Sequence, residues 1–255
     1  MSQSASGNTL GDHAEAFASE LTDTIRGVLG DSAPEFVAEA SPKRDGSTTR
    51  LLVHPKDSVD ICLEIDGSHA LTLICDYHCV WDHQSTYLKV NKANIHVRPA
   101  DDSTPLFRYE FEDGMQAALP CAHLQIHAHR DEFLFAMLRA QRGKPASRAK
   151  AAVGDSKTAA PRLSNLHFPL GGPRMRPCVE DVLHMLMSEF GVRAEPGAQE
   201  VIDAGRARWR RRQIAASVRD APEEVVRVLS EELGYTVQGP AGNTPGERLD
   251  RLTRF

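Results

Sequence analysis

Between Leu106 and His129 the chain trades polar for apolar residues at almost every step, and a period of two admits a strand and excludes a helix. In Leu106-Phe-Arg-Tyr-Glu-Phe111, Phe107, Tyr109 and Phe111 fall on one face and Arg108 and Glu110 on the other. In Pro120-Cys-Ala-His-Leu-Gln-Ile-His-Ala-His129, His123, Gln125, His127 and His129 share one face, and Leu124, Ile126 and Ala128 take the opposite one. The connection between them is short and holds the turn signal Glu112-Asp-Gly114, so antiparallel pairing is expected. Hydrophobic consistency then puts the aromatic residues with Leu124 and Ile126 on the core side. Arg108 and Glu110 come to lie beside a row of imidazoles on an open face.

Upstream, Arg50-Leu-Leu-Val-His54, Val59-Asp-Ile-Cys-Leu-Glu-Ile65, Leu71-Thr-Leu-Ile-Cys-Asp-Tyr-His-Cys-Val-Trp81 and residues 87–97 read as further strands, separated by His54-Pro55 and Asp66-Gly67-Ser68. Connections this short favour an antiparallel meander. Ala16, Phe17, Leu21, Ile25, Val28 and Leu29 recur at helical spacing before it, with Gly30 as the stop. Glu132-Phe-Leu-Phe-Ala-Met-Leu-Arg139 begins an apolar helix after it. Three more helices are expected at 177–190, 197–218 and 222–233, the first and last ended by Gly191 and Gly234.

The resulting fold class is α+β: an antiparallel sheet core with flanking helices, followed by a linker and a C-terminal helical part. Residues 1–12, rich in serine and glycine, are expected to be disordered, and residues 13–142 to form the core. Residues 143–162 carry small and basic residues with Val153 as the one sizeable apolar side chain, and read as a flexible linker. Residues 163–238 are a segment returning to the core plus the helical part, and 239–255 a tail. With 255 residues there is enough chain to bury a substantial core.

No apolar run reaches the length of a membrane span, and Met1-Ser-Gln-Ser-Ala-Ser-Gly lacks a secretory pattern, so a cytoplasmic protein without membrane partners is expected. The five cysteines (Cys62, Cys75, Cys79, Cys121, Cys178) include no C-x-x-C pair, which favours free thiols in a reducing compartment over disulfides or a zinc ribbon. Charge is unevenly spread within a net of -5: seven acidic residues between Asp12 and Glu39 face only Arg26, whereas Arg206-Ala-Arg-Trp-Arg-Arg-Arg212 is densely basic. Such a run fits either a polyanionic partner or an acidic segment of the same chain.

The imidazole row carries the chemistry. His127 and His129 should stand about 6.5 Å apart and can flank one reacting group or share one metal ion, whereas His123 is about 13 Å from His127 by the same rise. Histidine exchanges protons near neutrality, and a guanidinium stabilises a phosphorus oxyanion. His123, His127, His129, Arg108 and Glu110 are therefore candidate catalytic residues for acid–base cleavage of a phosphodiester without a cofactor. The alternative is a divalent transition metal held by His127, His129 and Glu110, and a third reading is a non-catalytic protein-interaction module. Asp76, His78, Asp82 and His83 form a second polar group, and His167 and His184 are isolated. Arg208, Arg211 and Arg212 could follow a nucleic-acid backbone, although Trp209 shares a helix face with Ile202 and is expected as a core anchor. Walker, G-x-G-x-x-G, G-x-S-x-G and H-E-x-x-H patterns do not occur.

Leu106-Phe-Arg-Tyr109, Pro120-x-x-His-x-x-x-His-x-His129 and Val179-Glu-Asp-Val-Leu183 resemble the small histidine-rich toxin ribonucleases of the TumE type over about half the chain. The contiguous histidine pair of those toxins is missing here, and Glu110-Phe-Glu-Asp113 follows the Arg-Tyr pair instead. The resemblance implies a toxin-like or defence-associated endoribonuclease, with His123, His127 and His129 at the matching positions, RNA as substrate and a cognate protein partner.

Overall fold

A computed structural model describes residues 9–42, 49–82, 85–114, 120–127, 168–170, 174–239, 242 and 246–254. His129, His83, His167, the helix expected from Glu132 and the linker at 143–162 lie outside the described residues. In chain order come α1 (Leu10–Leu29), β1 (Phe36–Pro42), β2 (Thr49–Pro55), a 3-10 turn (Lys56–Ser58), β3 (Ile61–Ile65), β4 (Ser68–Trp81), β5 (Leu88–Pro99), β6 (Phe107–Glu112), β7 (Ala122–Ile126) and β8 (Phe168–Pro169). Then follow α2 (Val179–Phe190), α3 (Ala198–Asp220), α4 (Pro222–Arg227), a π-helical turn (Val228–Glu232) and α5 (Leu249–Leu252).

All pairings in the eight-stranded sheet are antiparallel, in the order β1-β2-β4-β5-β6-β7-β8. The exception to a plain meander is β3, which pairs with the same strand as β2: Leu51–Val53 face Cys79–Tyr77, and Ile61–Ile65 face Leu73–Ser68. β4 is long enough to take both end to end. Pro55, which lacks an N–H, ends β2, and the 3-10 turn restarts the strand further along the same edge.

The sheet has one apolar face, and that face carries the core. Val53, Leu73, Tyr77, Ile95, Val97 and Phe111 are buried there with Leu21, Ile25 and Val28 of α1, Leu183 and Leu186 of α2, and Ile202 of α3, in a single cluster. Burying each aliphatic side chain contributes about 1.5–3 kcal/mol. The inward stripe of α1 runs Ala14, Ala18, Leu21, Ile25, Val28, so small alanines admit the neighbouring elements where Ala16 was expected to point inward; Ala16 is exposed. The helix starts at Leu10, ahead of the expected order boundary at 12, because Thr9 and Asp12 cap it reciprocally, Thr9 N donating to Asp12 at 2.6 Å and Asp12 N to Thr9 Oγ1 at 3.2 Å. Where α1 meets α3, a methyl group on Gly27 would stand 3.0 Å from the Val201 methyls.

At the turn after β6, the buried carboxylate of Asp113 receives Lys89 from β5, Arg251 of α5 at 2.9 Å, and Arg254. Burial pushes this carboxyl upward, but the bond and charge of Lys89 and the two arginines together hold it below the usual range. No helix among the described residues is long and apolar enough to cross a membrane.

Candidate functional site

The ladder between β6 and β7 pairs Phe107 with Ile126, Arg108 with Gln125, Tyr109 with Leu124, Glu110 with His123 and Phe111 with Ala122. Paired residues share a face, so Arg108 and Glu110 do lie with the histidine-bearing side of β7. One expectation is reversed. The histidine side is not an open row at this point: His123 is 0% and Gln125 5% exposed, whereas Ile126, on the last rung of the ladder, is 37% exposed. Alternation fixes which residues share a face, and it does not fix how far that face is covered.

β5 lies on the other side of β6 and adds two residues to the same face, Asn94 opposite Glu110 and His96 opposite Arg108. Glu110 is the centre of the group. Its Oε1 is 3.2 Å from His96 Nε2 and its Oε2 is 3.2 Å from His123 Nε2, while Arg108 Nη1 is 3.6 Å from Oε1. Burial alone would raise this carboxyl, but the hydrogen bonds from His123 and His96 and the charge of Arg108 outweigh it and hold Glu110 well below the usual carboxylate range. His123 Nδ1 lies 3.0 Å from the Pro120 carbonyl oxygen. The two ring nitrogens of His123 therefore face a backbone carbonyl oxygen and a carboxylate oxygen. His123 is fully buried and holds Glu110 from the β7 side.

His127 continues the face, its backbone N–H donating to the Leu106 carbonyl at 2.8 Å. From a strand spacing of about 4.8 Å and a rise of about 3.3 Å per residue, the α-carbons of His96 and His127 stand about 12 Å apart with Arg108 between them. Among the described residues His127 Nε2 has no hydrogen-bond partner. Burial and then the charge of Arg108 push its pKa below the ordinary 6.5, so it is a neutral base at neutral pH. Side chains of His96, Arg108 and Glu110 keep between a fifth and a third of their surface open. His96 belongs to no motif of its own. The signal was present in Asn94-Ile-His-Val-Arg98, which alternates in step with Arg108 and Glu110 once the pairing is extended by one strand.

The second polar group divides. Asp76 accepts from Asn94 Nδ2 at 2.7 Å and stands 3.8 Å from His78, whose pKa burial lowers. Asp82 turns away to close the loop before β5, accepting from Thr86 N at 2.6 Å and Tyr87 N at 3.0 Å. His184 meets Arg206 of α3 at 2.9 Å in a part-buried contact between α2 and α3.

The arginines of α3 largely serve the fold. Arg212 makes a two-pronged contact with Glu20 of the acidic α1, Arg208 reaches the same carboxylate at 3.4 Å, and Arg206 bridges Asp181 and Asp203. Arg211 is exposed and has no acidic partner among the described residues. Trp209 is part-buried and stacks on the Arg176 guanidinium, which also covers Phe111 at 4.0 Å. Beside them, a cavity of about 40 Å³ lined by Tyr77, Arg176, Cys178 and Glu180 has room for water and not for a nucleotide.

For the metal alternative, Glu110 is the difficulty, since both of its oxygens face imidazoles and a ligand role would require leaving them. Comparison with protein families, with curated proteins and with solved structures found no match.

Proposed function

We propose that the polar face of β5, β6 and β7 is an acid–base site that cleaves RNA, in a toxin-like or defence-associated endoribonuclease of the reducing cytoplasm. The observation that carries this reading is the Glu110 carboxylate holding His96 and His123 on its two oxygens beside Arg108, with His127, whose Nε2 has no hydrogen-bond partner among the described residues, on the same face. Neutral His127 takes the proton of a ribose 2′-hydroxyl, whose oxygen attacks the adjacent phosphorus. The bond to the 5′-oxygen breaks, and that oxygen receives its proton from His96. Arg108, between the two imidazoles, stabilises the charge on the non-bridging oxygens. Glu110 and His123 fix the orientation of His96. His129, two residues beyond His127, is a further candidate on the same strand.

The test is cleavage of mixed RNA in chelator by the wild type and by His127→Ala, His96→Ala and Arg108→Ala. Loss of about 10²–10⁴-fold is expected for either histidine. Absence of cleavage by folded wild type, or cleavage unchanged in all three variants, overturns the proposal. Cleavage that appears only when a transition metal is added, and fails in His129→Ala, would transfer the site to metal chemistry.

A further inference from the structure

The helical part beyond Asp220 is ordered without a core of its own. Between α4 and the end of the π-helical turn no residue is buried, yet Val226 is 42% and Leu233 61% exposed. Helices this short are marginal in water and normally depend on burying an apolar face. The corner that carries them is firm: Asp220, nearly fully buried, takes Arg174 at 2.7 Å, and its carbonyl accepts from Arg248 N at 2.8 Å. On the outside of α3, Arg211, Ile214 and Val218 follow one another at helical spacing on a single exposed stripe, with Ile214 at 63% exposure. Most of the exposed large apolar side chains among the described residues lie between Ile214 and Leu252.

Charge indicates what covers this surface. α4 and the turn after it are acidic, and their one cation, Arg227, is already taken by Glu224, Glu231 and Glu232 at 2.7, 3.7 and 2.8 Å. That leaves Glu223, exposed one turn before Val226, without a cationic partner among the described residues. Arg211, one turn before Ile214, stands in the mirror situation. One stripe is apolar with a positive end, the other apolar with a negative end, and both belong to the same chain. An isologous contact satisfies both twice.

We infer that this surface is the interface of a homodimer, in which the Arg211–Ile214–Val218 stripe of one copy packs on the Glu223–Val226 stripe and Leu233 of the other. Apolar side chains supply the affinity, and the Arg211–Glu223 pairs set the orientation. The inference is independent of the proposed ribonuclease site.

The experiment is sedimentation of the full chain over a range of concentrations, with circular dichroism to show that each variant is folded. Wild type should be a concentration-dependent dimer. Ile214→Asp should weaken association at least tenfold, Arg211→Glu and Glu223→Arg should each weaken it, and the double charge exchange should restore it. A wild type that stays monomeric, or a dimer indifferent to Ile214→Asp, overturns the inference. Loss of RNA binding in Arg211→Glu by a protein that is monomeric throughout would overturn it too, by assigning the stripe to nucleic acid.

Discussion

His123 and Glu110 meet across the β6–β7 ladder at 3.2 Å, with the second nitrogen of the same imidazole 3.0 Å from the Pro120 carbonyl. An imidazole held between two acceptors keeps the carboxylate in place for His96, so the pair joins the stability of the sheet to the geometry of the proposed site.

Glu110→Gln replaces two acceptor oxygens by one acceptor and one donor, so a facing imidazole loses its partner. We expect a cost of about 1–3 kcal/mol, read from urea unfolding at neutral pH. The folded pKa of Glu110 lies below its unfolded value near 4.5, so its contribution is complete above that pH and is lost as pH falls through the lower folded value. Wild type should therefore lose stability below pH 4.5 more steeply than the glutamine variant. Parallel pH profiles would contradict the ionised pair.

Arg108→Ala should move the titration of His127 upward, because the guanidinium is one of the forces that lower it, after burial. Two-dimensional NMR of the ring resonances measures this directly. A downward move, or none, would show that the two side chains do not share a face in solution.

Gly205→Ala would ordinarily stabilise a helix by about 1 kcal/mol. Here the new methyl would run into Glu180 Oε1 and stand 2.9 Å from its Cγ, in a position where Glu180 is buried. A loss of about 1–3 kcal/mol is expected instead, visible as a lower thermal midpoint. Adding Glu180→Ala should recover part of it, giving a double variant that is less destabilised than the two single losses together.

All five thiols are free, and Cys62 alone is exposed. Burial pushes Cys75 and Cys79 up to about 12, and Cys62 is raised by partial burial and by Glu64. Titration of the native protein with a thiol reagent at pH 8 should register one slow-reacting group, and denaturant should release the other four. Rapid reaction of several thiols in the native state would mean that the cysteine-bearing strands open readily.

The pairing of β6 with β7 is readable because two kinds of local information agree, alternation within Leu106–Phe111 and residues 120–127 and a short connection that favours antiparallel return, whereas the sharing of β4 by β2 and β3 departs from the expected meander. Helix ends were equally clear where glycine must adopt positive φ, as Gly191 does at 69°. Alternation does not say how far each face is covered, and His123, expected on an open face, is closed. Nor could it supply the third strand of the site. His96 reaches Glu110 from a strand fourteen residues earlier, and no motif joins them. Of the arginine run, the sequence offered two explanations, and the contacts of Arg208 and Arg212 with Glu20 show the acidic partner within the chain itself.

The Asp113 clamp joins widely separated parts of the chain. Lys89 reaches that carboxylate from the adjoining hairpin strand, but Arg251 and Arg254 approach from 138 and 141 residues further on. Asp113 therefore draws one cation from its own hairpin neighbourhood and two from residues 251–254, so a single carboxylate fastens that distant segment to the turn of the sheet.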